Sequence, residues 1–136
     1  MSGTAAPFLT AWFDILDGDE PERILGLIAD DFTFSILFST GGDSATDFAG
    51  GRPALEHYLE QREKGVLTHH LVAASTSGRS ELFLGEVRRA GVPVASFVAA
   101  GQLGASGRLE RLLIGRSPAV RFDAPGQTAR AGARTS

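Results

Sequence analysis

Apolar residues Phe8, Trp12, Ile15 and Leu16 recur at the spacing of one helix face. Pro7 suits a first helical turn and Gly18 a stop, so this stretch predicts a helix. A second helix is expected from Asp19, a capping residue, with Pro21 in its first turn and Glu20 and Glu22 near its positive end. Its buried stripe would be Ile24, Leu27 and Ile28. The period then changes to two: residues 32–38 alternate apolar with polar and are rich in strand formers. Residues 39–51 hold four glycines and predict a loop or short flap. Pro53 opens a third helix, with Leu55, Tyr58 and Leu59 inward and Glu60 and Lys64 as an i,i+4 pair.

From residue 66 the pattern becomes strand, turn, strand. The expected strands are 67–77, 80–89, 92–103 and 109–116, broken by short Gly-containing turns. Such short breaks mean antiparallel hairpins. Helices first and antiparallel strands after them give an α+β class, the helices lying on one face of the sheet. One domain over 1–136 is expected, with its core in 7–117 and a disordered tail over 126–136.

Composition narrows the function classes. A net charge of −3 with no basic cluster argues against nucleic acid as a partner. There is no cysteine, which removes disulfides and thiolate chemistry. Neither a secretion signal nor an apolar run of about 20 residues is present, so the reading is cytoplasmic with no membrane partner. His69 and His70 are adjacent and would point to opposite faces of a strand, so no metal site is expected. No phosphate-binding glycine loop precedes a helix, and no cofactor is expected.

Four stretches carry a resemblance. DGDEPERILGLIADDFTFSI, FAGGRPALEHYL, THHLVAAS and GRLERLLIG are similar to segments of the NTF2-like superfamily, which includes ketosteroid isomerase and SnoaL-like polyketide cyclases. The resemblance covers roughly residues 7–117 and implies a cystatin-like cone: a curved antiparallel sheet with three helices packed on its concave face. It does not carry over the known chemistries. Where ketosteroid isomerase has its aspartate base this chain has Ile36, and its protonated aspartate matches Ala99 or Ala100. Its tyrosine matches Ala11 or Trp12. Arg108 and Glu110 have the spacing of the Arg-x-acid pair of limonene epoxide hydrolase but fall at a hairpin turn.

Hairpin arithmetic assigns the faces. A turn at Gly78-Arg79 sets His70 opposite Val87, and a turn at Ala90-Gly91 sets Val87 opposite Val94. His70, Phe83, Ser96, Val98, Gln102, Leu112 and Ile114 then face the cavity that the resemblance implies, joined by Trp12, Phe34, Ile36 and Tyr58. On that assignment His70 is the one inward sheet group that exchanges a proton near neutrality, and so the expected acid or base. Asp47, on the flap, is the alternative. The other face would carry His69, Leu71, Leu82, Leu84, Phe97 and Leu113, enough apolar surface to expect a homodimer through it. A slip of one residue would exchange the faces.

Two functions follow. One is binding of a small hydrophobic molecule, with cofactor-independent isomerisation, cyclisation or hydrolysis. The other is a non-catalytic ligand-binding or dimerisation module.

Overall fold

The computed structural model describes residues 5–37, 47–62 and 65–122. Helices α1 (Pro7–Leu16) and α2 (Arg52–Gln61) and a 3-10 helix over Pro21–Leu27 pack on six strands. The strands are β1 (Ile28–Leu37), β2 (Phe48–Gly50), β3 (Leu67–Ser77), β4 (Ser80–Arg89), β5 (Val92–Leu103) and β6 (Leu109–Ser117). They form one curved, open sheet in the order β2-β1-β6-β5-β4-β3. β1 and β6 pair in parallel and all other neighbours are antiparallel. Strands β3 to β5 match the sequence expectation, while β1 starts four residues early, at Ile28. The second expected helix is of the 3-10 kind, in keeping with its seven residues and internal Gly26. Phe38, most of the glycine-rich flap including Asp43, Lys64 of the expected ion pair, and the tail over 126–136 lie outside the described residues. Among the described residues no helix is long and apolar enough to cross a membrane.

The buried face of α1 is Leu9, Trp12, Phe13 and Leu16, whereas Phe8 and Ile15, expected on that face, are only half-buried. The helix brings no cap of its own: Ala6, at its N-cap, sits in the left-handed region, with φ 49°, and makes no side-chain cap hydrogen bond. The cap comes from β4. Glu81, 3% exposed, accepts the backbone N–H of Leu9 at 2.7 Å and of Phe8 at 3.0 Å. Thr76 Oγ1 on β3 accepts the N–H of Ala6 at 2.7 Å. The orphan donors of the helix start are thus satisfied by the sheet, and the carboxylate faces the positive end of the helix dipole.

Two β-bulges decide which side chains face the helices. Next to the β3–β4 turn the register is the expected one, with Ser77 opposite Ser80 and Ala74 opposite Phe83. Between Leu71 and Ala73 it shifts by one, so His69 faces Val87 and His70 faces Glu86. On the next hairpin Arg89 pairs Val92 as expected, but a shift beyond Arg88 sets Val87 opposite Ala95 and Phe83 opposite Ala99. An extra residue on one strand turns every later side chain over. The inner row is therefore His69, Phe83, Val87, Phe97 and Ile114, and the outer row includes His70, Leu84, Val98 and Leu113. This overturns the expected faces of His69, His70, Phe97 and Val98.

Phe97 settles over Gly85. A Cβ at Gly85 would lie 2.4 Å from the Phe97 ring and 2.8 Å from the His70 carbonyl oxygen. The ring also meets Phe13 and Phe83 with centroids 5.1 and 5.6 Å away. Because backbone blocks one side, Gly85→Ala should cost about 1–3 kcal/mol by overpacking. A urea midpoint equal to wild type would show that the ring yields freely.

Candidate functional site

A cavity of about 240 Å³ lies between α1, α2 and the inner sheet face. It falls below the roughly 300–1,000 Å³ of sites that enclose a drug-sized ligand, so it suits a small molecule or one end of a larger one. Trp12, Phe13 and Leu16 come from α1, Leu55 and Tyr58 from α2, and Val87, Phe97 and Ile114 from the sheet. Its polar lining is Tyr58, Gln61, Arg62, His69, Arg89 and Arg116. Among the described residues no three His, Asp or Glu side chains converge as a metal site requires.

Asp17, the residue that ends α1, organises one wall. Its Oδ2 accepts the backbone N–H of His69 at 2.6 Å, and its Oδ1 lies 2.8 Å from His69 Nδ1. A carboxylate only accepts, so this contact places a proton on Nδ1. Nε2 is then the ring nitrogen left for a ligand, and His69 lines the cavity. The ring is held flat against Phe13, with centroids 4.8 Å apart, and edge-on to Phe97 at 5.0 Å. Arg62 completes the wall. It reaches Asp17 Oδ1 at 3.4 Å and donates to the Leu16 carbonyl at 3.0 Å, where a cation suits the end of α1. Burial, the largest influence, holds the Tyr58 pKa above its ordinary value, so the phenol keeps its proton at neutral pH. The Arg62 cation near Tyr58 favours the ionised phenol.

The structure gathers some of the expected site residues and scatters others. Trp12, Ile36, Tyr58 and Ile114 line the cavity. Phe34, Phe83 and Leu112 are buried in the core beside it. Ser96, Val98 and Gln102 are on the outer face, turned there by the β5 bulge. Ser96 is covered, and donates to the Val120 carbonyl at 2.6 Å. Asp47 is exposed and does not line the cavity. Arg108 is exposed at the β5–β6 turn, donating to the Gly26 carbonyl at 2.7 Å. Glu81 shares the inner face with Phe83, so His70 is not the sheet's one inward titratable group as expected. Sequence reading missed Asp17, Arg62 and Arg116. Asp17 stands where the expected first helix ends, a place read only as a stop.

His70, the expected base, contacts Thr68 Oγ1 through Nε2 at 2.7 Å, away from the cavity. Burial first, and then the Arg88 cation, hold its pKa below 6.5. Asp17 and Glu86 oppose this and His69 adds to it. The unfolded chain therefore binds the proton more readily than the folded one. The associated stability is complete above about pH 6.5 and is lost as pH falls through the lower folded value. His70→Gln should reduce the loss of urea resistance between about pH 7 and about pH 5. An unchanged loss would place the acid sensitivity elsewhere.

No protein-family model and no curated protein matches the sequence. Solved structures do. A candidate isomerase of the SnoaL-like family from Agrobacterium tumefaciens superposes with a TM-score of 0.63 at 12% identity, covering 80% of this chain and 93% of that one. An NTF2-like protein of unknown function from Burkholderia xenovorans gives 0.63 at 15% identity, covering 94% and 92%. A candidate polyketide cyclase from Streptomyces antibioticus gives 0.60 at 13% identity, covering 80% and 88%. At these identities the likeness establishes the fold, which is NTF2-like, and leaves function to the site.

Proposed function

We propose that the cavity binds a small, largely apolar molecule and that His69, held by Asp17, moves a proton on it without a cofactor. The observation that carries this reading is the Asp17–His69 contact of 2.8 Å set inside an aromatic cavity. In its neutral form His69 accepts at Nε2, and Asp17 stabilises the imidazolium that forms. The chemistry that suits such a base is removal of a proton next to a carbonyl. The electron pair moves onto the carbonyl oxygen, toward which the Tyr58 hydroxyl of the cavity wall would donate. Return of the proton at another carbon is an isomerisation, and attack of the enolate on a second carbonyl is a cyclisation. The likeness to candidate isomerases and cyclases agrees with this class.

The test is solvent exchange. With 2-tetralone as probe ketone in D₂O, the protein should speed deuterium entry at the carbons beside the carbonyl, followed by NMR. A probe that binds without faster exchange would make the domain a non-catalytic binding module instead.

We also propose that two copies pair through the outer sheet face. Leu82, Val98 and Leu113 are 54%, 57% and 54% exposed there, around Leu84 and Ala100. The second copy is the fitting occupant because this apolar centre is flanked by both signs of charge, Glu86 and Arg88 at one end and Arg111 toward the other. Such a patch is self-complementary across a two-fold axis. Light scattering should give twice the chain mass, and Val98→Glu the single mass. A wild-type monomer at micromolar concentration would end the proposal.

A further inference from the structure

Among the described residues β3 is the last strand of the sheet and pairs only with β4. Such a strand leaves every second N–H and carbonyl of its far side without a ladder partner. At the site these groups are taken by side chains. The Val66 carbonyl accepts from Ala90, just past β4, at 3.3 Å, so by alternation the next carbonyl, that of Leu67, turns to the open edge. Arg62 donates to it at 3.4 Å, and Asp17 Oδ2 accepts the His69 N–H at 2.6 Å. Arg62 follows α2 with an extended backbone, φ −82° and ψ 136°. From there its guanidinium reaches the ends of two other elements. Nη1 donates to the carbonyl of Leu16, the last residue of α1, at 3.0 Å. Nη2 lies 3.4 Å from both the Leu67 carbonyl and Asp17 Oδ1. The Arg62 side chain is 7% exposed and that of Asp17 14%, so these contacts are largely shielded from water. Leu16 precedes Asp17, and Leu67 stands two residues before His69. One guanidinium therefore ties down both backbones that carry the pair.

We propose that Arg62 is a positioning residue: it clamps the start of β3 to the end of α1 and so sets the 2.8 Å contact between Asp17 and His69. Asp17 and His69 meet at two points, but both contacts last only while their backbones keep the right separation. A drift of about 1 Å would take the Nδ1–Oδ1 contact out of hydrogen-bonding range. Arg62 acts on that separation and not on the ligand, since both terminal nitrogens are engaged with the wall. Arginine suits the task because its planar fork holds several donors in fixed directions. A lysine ammonium, compact and on a flexible stem, would not span the three acceptors. This inference rests on the reading of His69 as the base and adds what keeps the base in place.

The experiment compares Arg62→Gln, Arg62→Lys and the double variant Asp17→Asn, Arg62→Gln in the full chain. One readout needs no ligand: the proton NMR resonance of His69 Nδ1–H. In wild type it should lie downfield and exchange slowly with water, and in Arg62→Gln it should be lost to exchange. The other readout is deuterium entry into 2-tetralone. Arg62→Gln should slow it about 10- to 100-fold, the effect of a misplaced group. Probe affinity should stay that of wild type, read from the emission of Trp12, the chain's single tryptophan, which lines the cavity. Arg62→Lys should fall between wild type and Arg62→Gln in both readouts. The double variant should be no slower than Asp17→Asn alone, because a residue that acts through Asp17 then has nothing left to position. An Arg62→Gln variant that keeps both the resonance and the rate would overturn the clamp, and so would losses that multiply in the double variant. Probe binding that falls as far as the rate would overturn it too, by placing Arg62 on the ligand. Should Arg62→Gln not fold, a wild-type resonance and rate in Arg62→Lys would overturn the need for the fork. If wild type itself brings no deuterium into the probe, the reading of His69 as a base falls, while the resonance still decides whether Arg62 holds Asp17 and His69 together.

Discussion

His69→Ala should lower the exchange of ketone α-protons by about 10²–10⁴-fold, the usual contribution of a positioned acid–base group, and His70→Ala should leave it intact. The two histidines are neighbours in sequence, yet only His69 lines the cavity, with Nδ1 engaged by Asp17. His70 points to the other face and meets Thr68. Asp17→Asn gives a sharper version of the same test. A carboxamide that turns its N–H₂ toward Nδ1 would favour the proton on Nε2, and that nitrogen could then no longer accept. Exchange should fall at least about 10²-fold while probe binding, read from Trp12, persists. Tyr58→Phe removes the donor to the enolate oxygen and should cost about 10²-fold or more. Full exchange by His69→Ala with the probe still bound would place the base on another residue.

The sequence was most legible where local chemistry decides structure. The turns at Gly78-Arg79 and Ala90-Gly91 fix the ends of β3, β4 and β5, which fall where the pattern puts them. Gly78 and Gly91 take the positive φ values, 59° and 83°, that these tight turns require. The helical face of α1 was legible to within one residue, although Leu9 and Phe13 are more buried than Phe8 and Ile15. What failed was alternation carried too far from the turns. Each hairpin keeps its expected register near the turn and loses it at a bulge a few residues on. Pro93 carried a signal for the second bulge, since it cannot donate to a ladder and favours irregular strand positions. Val72, which has no ladder partner at the first, carried none. That one extra residue changed which histidine faces the cavity.

The candidate site was less legible because its parts are far apart in sequence. Asp17 and His69 are 52 residues apart, and Asp17 and Arg62 are 45. No spacing rule joins a helix end to a strand across such distances. The apolar lining was easier, since large residues on a face that meets helices are buried whatever the register of the neighbouring strand: Trp12, Ile36, Tyr58 and Ile114 all reached the cavity.

Glu81→Ala should cost about 3 kcal/mol of folding stability, lowering the melting temperature by roughly 10 °C for a chain of this size. The substitution strips the first turn of α1 of both acceptors at once, since the Phe8 and Leu9 N–H groups bond to the two oxygens of one carboxylate. Ala6 and Pro7 cannot replace them: neither side chain accepts a hydrogen bond, and α1 has no side-chain cap of its own. Buried donors without acceptors cost about 1–3 kcal/mol each, and the favourable charge at the helix N-terminus is lost as well. Glu81→Gln keeps one acceptor oxygen and should lose about half as much. The consequence reaches the site, because α1 carries Trp12, Phe13 and Leu16 into the cavity and ends at Asp17. Loosening its start should shift Trp12 emission toward that of an exposed indole and weaken probe binding before the sheet unfolds. A thermal melt within about 2 °C of wild type would show that water or another group replaces the carboxylate, and that Glu81 does not hold α1 in place.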